Sequence, residues 1–191
     1  MSHNSPDREE LRPHPLAVSL IERLKSASGA RILEIGAGSG RNRKALLAAG
    51  FAVDSFAEPP EIDELFDAAI TTHALLHGTR ESVAEAVERI GLALHHGAPF
   101  YATFASVRDA RYGEGKMIAA HAYAAETGEE AGVAHAYFDE PALRKIVERS
   151  FDVESLEERP VDAIVGRWAH SGTPRGRVHF FLVAHKRRID L

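Results

Sequence analysis

Leu16, Leu20, Ile21 and Leu24 recur at helical spacing in PLAVSLIERLKSA, with Pro15 in the first turn, where its missing N–H is tolerated. Ser28-Gly29 ends this helix, and ARILEI follows as a short apolar strand. RNRKALLAAG reads as a helix closed by Gly50, and FAVDSF as a second strand. FDAAI opens a further strand. In TRESVAEAVERIGLALHHG, Val83, Val87, Ile90 and Leu94 share one helical face, and Gly97 ends it. APFYATFAS is again strand-like, whereas residues 106–138 show little periodicity. DEPALRKIVERS predicts a helix with Asp139 as N-cap and Pro141 in its first turn. FDVESLEE and RGRVHFFLVAHKR read as late strands. In the second, Val178, Phe180 and Leu182 alternate with His179, Phe181 and Val183, so both faces are expected to be buried. Strand and helix alternate through most of the chain, which predicts an α/β layered sheet.

The composition narrows the classes. With 191 residues and 45% hydrophobic content, the chain suits one domain with a real core. The absence of cysteine excludes disulfides, iron–sulfur clusters and thiol nucleophiles. A net charge of -5 argues against a nucleic-acid surface, which usually carries a basic stripe. No apolar run approaches the ~20 residues of a membrane span. The start, MSHNSPDREELRPHP, lacks the apolar core of a signal peptide. A cytoplasmic protein is expected, with no nucleic-acid or membrane partner. Residues 1–14 read as a flexible lead-in, 15–191 as a single domain, and 106–138 as an inserted lid or acceptor-binding segment.

RILEIGAGSGRNRKALLAAGF carries the chemistry. Glycines at positions 36, 38 and 40 follow a strand and precede a helix. A dinucleotide loop, G-x-G-x-x-G, fails in both registers, because Arg41 or Arg43 stands where the last glycine belongs. No G-K-[ST] follows, so a Walker loop fails as well. The pattern is E-x-G-x-G-x-G: Glu34, Gly36, Gly38, Gly40. It resembles motif I of the class I S-adenosylmethionine-dependent methyltransferases. GSGRN resembles the small-molecule branch that includes tellurite-resistance-type enzymes. The stretch from Phe66 to Phe104 is similar to that family's fourth strand, following helix and fifth strand. The resemblance implies a Rossmann-like three-layer sandwich with a mostly parallel sheet and an antiparallel last strand. It also implies S-adenosyl-L-methionine as cofactor and methyl transfer to a small-molecule acceptor. Bare glycines let a ligand touch main chain that side chains would cover. The helix starting near Arg41 offers free N–H groups to a carboxylate. The resemblance gives Glu34 the role of steadying the loop and the ligand's ammonium. Gly36, Ala37, Gly38, Gly40, Arg41 and Asn42 complete the expected cofactor cradle.

Two departures from the family pattern stand out. The family ends its second strand with an acid that grips the ribose hydroxyls. Here Ala57 holds that place, and Glu58, one position later, is the candidate. Only eight residues separate Glu58 from Asp67. A helical crossover needs at least ~10–12, so the usual third strand is expected to be absent. The second strand then becomes the sheet edge, a hazard that is either covered or used for a homodimer. The lost segment normally packs on adenine; Ile62 in PPEID is the only local replacement.

The site is expected beyond the carboxyl ends of the strands. TTHALLHG leaves a strand there, placing Thr72 and His73 in the methyl-transfer pocket, with His73 a candidate base or hydrogen-bonding group. His73 and His77 stand four apart, but no Glu or Asp accompanies them at ligand spacing, so no metal is expected. Arg108, Arg111, Tyr112, His121 and His135 are candidates for the acceptor pocket, against the alternative of an ordered flap. The sole tryptophan, Trp168, is a further candidate, against core or lid packing. The rival to a methyltransferase is a non-catalytic relative acting as a partner-binding or dimerising module. A nicotinamide oxidoreductase ranks third, since its glycine spacing is not met.

Overall fold

A computed structural model describes residues 12–61, 64–128, 130–161 and 176–188. In chain order the elements are α1 (Pro15–Arg23), β1 (Arg31–Ile35), α2 (Arg41–Ala48), β2 (Ala52–Phe56), β3 (Ala68–Thr71), α3 (Arg80–Leu92) and β4 (Pro99–Ser106). Then follow β5 (Lys116–Ala119), β6 (Ala122–Ala124), β7 (Ala134–Phe138), α4 (Glu140–Val147), β8 (Phe151–Pro160) and β9 (Val178–Lys186).

β2, β1, β3 and β4 lie side by side and parallel. β9 runs antiparallel to β4, and β8 pairs antiparallel with β9 on its far side. This is the expected Rossmann-like sheet with an antiparallel last strand. The expected loss of a third strand also holds, because β2 is the outermost strand of this side. Arg31 anchors the short link that replaces it. Its N–H donates to Asp67 Oδ2 at 2.8 Å, its Nε to Asp54 at 2.8 Å, and its Nη1 to Glu64. Its guanidinium also lies over the Phe66 ring, 4.5 Å from the centroid.

Alternation along the strands splits the core into two layers. Leu33, Ile35, Phe100 and Ala102 face α3 and α4, where they meet Val83, Val87, Ile90, Leu143 and Val147. Ile32, Ala68, Ile70 and Tyr101 face α1 and α2, where they meet Leu16, Leu20 and Leu46. Burying a side chain such as Ile90 contributes about 1.5–3 kcal/mol. Thr79 and Ser82 form a reciprocal capping box on α3, and Asp139 caps α4 through Ala142 N.

Two findings differ from the pattern-based expectation. His14, assigned to the lead-in, is buried and caps α1: its Nδ1 accepts from Leu16 N at 3.1 Å. Residues 106–138, without visible periodicity, contain three strands. β7 joins β4 in parallel through Ala105 and Ser106, and β6 and β5 extend it antiparallel. These strands are three to five residues long, and β5 is exposed on most of its length, so no alternation develops.

Candidate functional site

The sheet order reverses beside β1, because β2 lies on one side of it and β3 on the other. Ligands in open α/β sheets bind at such a point, beyond the carboxyl ends of the strands. A cleft of about 940 Å³ opens there. Its wall is built from the loop after β1 (Gly36, Ala37, Gly38, Ser39), the end of β2 (Ser55 to Pro59) and the segment after β3 (Thr72 to Leu75). Arg41 and Asn42 of α2, and Glu85 and Arg89 of α3, complete it with His77 and Glu130.

The glycine loop is bare main chain in left-handed conformation: φ is +72° at Gly36, +51° at Gly38 and +73° at Gly40. Gly36 N donates to Phe56 O at 2.8 Å, and Gly40 N to Ala37 O at 2.8 Å, which close the turn onto α2. Gly40 is the N-cap of α2 and supplies no side chain to cap it, so the first-turn N–H groups keep their dipole for a ligand.

Glu34 is buried at the end of β1, opposite Ser55 of β2. Ser55 Oγ donates to Glu34 Oε2 at 2.7 Å. Oε1 is buried and has no hydrogen-bond partner among the described residues. Burial raises the Glu34 pKa above its ordinary value, against the Ser55 hydrogen bond and Arg43, which lower it. A buried carboxylate oxygen left without a donor fits a site completed by a cation.

Asn42 spans two elements. Its Oδ1 accepts from His14 N at 2.8 Å, and its Nδ2 donates to Thr72 Oγ1 at 2.9 Å. Glu58 is exposed at the cleft wall beside Ala57. His73 has φ +59°, a left-handed backbone uncommon for a residue with a Cβ, pinned by its N–H donating to Thr103 Oγ1 at 2.8 Å. Its Nδ1 lies 3.1 Å from His179 Nδ1, and His179 Nε2 lies 3.6 Å from Asp109 Oδ2. One of the two facing Nδ1 atoms donates its proton and the other accepts it, which ties the two rings together. Burial holds His73 well below its ordinary pKa, with His179, His14 and nearby arginines adding to the effect. It is therefore neutral.

The acceptor candidates fall elsewhere. Arg108 pairs with Glu158. Arg111 donates to Glu114 and Glu130, each at 3.0 Å. Tyr112 Oη lies 2.7 Å from His121 Nδ1 and packs against Tyr123 and Tyr137. None of Arg108, Arg111, Tyr112, His121 or His135 lines the cleft; Glu130, from the same segment, does. Trp168 and Ile62 lie outside the described residues. The pattern reading missed Ser55, Arg89 and Glu130. Ser55 was legible only through its pairing with Glu34 across β1 and β2, a register that the sequence does not print.

No protein-family model and no curated protein matches the chain. Solved structures do. A Methanosarcina mazei S-adenosylmethionine-dependent methyltransferase superposes with a TM-score of 0.68 at 15% identity, over 93% of this chain and 99% of that one. The Burkholderia thailandensis 1,6-didemethyltoxoflavin N1-methyltransferase, solved with its substrate and S-adenosylhomocysteine, gives 0.64 at 21% identity, over 91% and 77%. TehB from Haemophilus influenzae gives 0.57 at 15% identity, over 89% and 62%. The chain has the class I methyltransferase fold. Within that fold, the cleft described above occupies the switch point, with the glycine loop in its wall on the β1 side.

Proposed function

We propose that this protein is an S-adenosylmethionine-dependent methyltransferase acting on a small-molecule acceptor. The observation that carries the reading is Glu34 Oε1, buried without a donor among the described residues behind a loop of left-handed glycines, of which Gly36 and Gly38 open onto the cleft. A glycine loop plugged by side chains would have excluded a ligand; this one lines a cavity within the size range of cofactor sites.

When bound, S-adenosylmethionine supplies an electrophilic methyl group on a sulfonium. Glu34 would pair with the ammonium of its amino-acid end. The N–H groups at the start of α2 would take the carboxylate. Glu58, at the end of β2, is the candidate for the ribose hydroxyls. Thr72 and His73 border the space left for the acceptor. Because His73 is held neutral at low basicity, it suits hydrogen bonding and alignment better than proton removal. The acceptor should therefore be nucleophilic without prior deprotonation, and positioning supplies much of the rate.

Titration calorimetry and thermal denaturation with S-adenosylhomocysteine test this. At 100 times its dissociation constant the ligand should stabilise the fold by ~2.7 kcal/mol. At ~2–4 °C per kcal/mol for a chain of this size, the melting temperature should rise by roughly 5–11 °C. No heat and no shift at millimolar ligand would overturn the reading in favour of a non-catalytic relative.

A further inference from the structure

We propose that His77, Glu130 and His135 form a binding site for one divalent transition-metal ion, of the zinc, nickel or cobalt class. The three come from separate places: the segment after β3, the turn before β7, and β7 itself. An isolated antiparallel bridge sets His77 opposite His135, with Gly78 N donating to Ala134 O and Ala136 N to Leu76 O, both at 2.7 Å. The ligand atoms all lie within 4.8 Å of one another. His77 Nε2 is 3.4 Å from Glu130 Oε1, and His135 Nε2 is 3.3 Å from Glu130 Oε2. Bonds of ~2.0–2.1 Å in a tetrahedral zinc site put neighbouring ligand atoms about 3.3–3.4 Å apart, so each imidazole already stands at that spacing from one carboxylate oxygen.

The surroundings of His135 give the second argument. His135 is buried at 2% exposure, and its Nδ1 lies 3.0 Å from Val133 O. A carbonyl only accepts, so Nδ1 carries a proton, and Nε2 is the ring atom turned to Glu130. Nε2 is buried, lies 3.3 Å from Glu130 Oε2 and makes no hydrogen bond among the described residues. A cation between the two groups would take both as ligands. The backbone carbonyl on the other ring nitrogen is the usual arrangement behind a metal-bound histidine. Arg111 donates to Glu130 Oε2 at 3.0 Å and orients the carboxylate from behind, leaving Oε1 towards His77. Imidazole and carboxylate without thiolate select the borderline ions named above. His77 and Glu130 also line the cleft, so an ion here borders the space given to the acceptor; that consequence rests on the methyltransferase reading.

The test uses the full chain, stripped with chelator and titrated with Zn2+ by calorimetry and with Co2+ by visible absorption. One equivalent should bind, and Co2+ should give the intense bands of low coordination number. His77→Ala and Glu130→Gln, which leave the buried His135 in place, should each weaken binding by at least about 100-fold. His95→Ala, an exposed histidine outside the cluster, should leave it unchanged. Absence of stoichiometric binding, or binding that survives both cluster variants, overturns the site. So does nitrogen NMR in which neither the His77 nor the His135 ring responds to one equivalent of Zn2+. Binding of S-adenosylhomocysteine to metal-free protein is measured separately, so either reading fails without the other.

Discussion

Ser55 Oγ donates to Glu34 Oε2 at 2.7 Å across the parallel pair of β1 and β2. The bond occupies one carboxylate oxygen and leaves the other without a donor among the described residues. Ser55 thus fixes the rotamer of Glu34 while the second oxygen stays available to an ammonium. Glu34→Gln keeps the shape and removes the charge. A hydrogen bond to a charged group contributes about 1.5–3 kcal/mol, so S-adenosylhomocysteine affinity should fall about 10- to 150-fold. Ser55→Ala should fall less. Calorimetry checks both, and an unchanged affinity in Glu34→Gln would sink the assignment.

Cofactor affinity should depend on pH through the same carboxyl. Burial raises the Glu34 pKa, so in the ligand-free protein the acid form persists above its ordinary value of 4.5. Pairing with an ammonium favours the ionised form and pulls the pKa back down. Binding therefore releases a proton in the window above 4.5, and affinity rises with pH until Glu34 is ionised in the free protein. Calorimetry in buffers of different ionisation enthalpy should show this release in the window above 4.5 and lose it in Glu34→Gln. Affinity that is flat across the acid range argues against an ammonium at Oε1.

The parts of this molecule that were legible in the sequence are those governed by local rules. The Asp139 cap of α4, the loop of Gly36, Gly38 and Gly40, and the missing third strand follow from neighbours within a dozen residues. The positions that elude such reading are set by long-range register. Glu130 meets His77 and His135 only because β7 bridges the segment after β3. Ser55 meets Glu34 through strand pairing, and His14 meets Asn42 across 28 positions of chain. The strands of 106–138 escape for a different reason, since runs this short carry no period.

Acid should destabilise the fold through buried histidines. Burial lowers His14 and His179 from 6.5 to about 3. The unfolded chain binds these protons near 6.5 while the folded chain resists them. Their contribution is fully present above 6.5 and is lost as pH falls from there towards 3. Each group contributes about 1.4 kcal/mol per pH unit in that window. Urea midpoints should therefore decline already between pH 6.5 and 5, before most carboxylates titrate. His179→Gln should flatten the decline. A midpoint constant over that interval would show that neither ring is held neutral.

Gly36 and Gly40 offer an internal control on the glycine loop. Their φ values are +72° and +73°, so the backbone strain of adding a Cβ is the same at both. Their surroundings differ. A Cβ at Gly36 would meet the Ala74 Cβ at 2.3 Å, whereas one at Gly40 has nothing within 4 Å. Gly40→Ala should thus cost only the left-handed strain, about 1–2 kcal/mol. Gly36→Ala should carry that plus an overlap of about 1–3 kcal/mol. The excess, roughly 2 kcal/mol, corresponds to a melting temperature lower by about 4–8 °C than that of Gly40→Ala. Relief is available only if the segment after β3 moves away, which displaces Thr72 and His73 from the cleft wall. Gly36→Ala should therefore weaken S-adenosylhomocysteine more than its own stability loss explains, as read at a temperature where both variants are folded. Equal melting temperatures for the two variants would mean that the loop does not press on Ala74, and that the cleft is wider there than described.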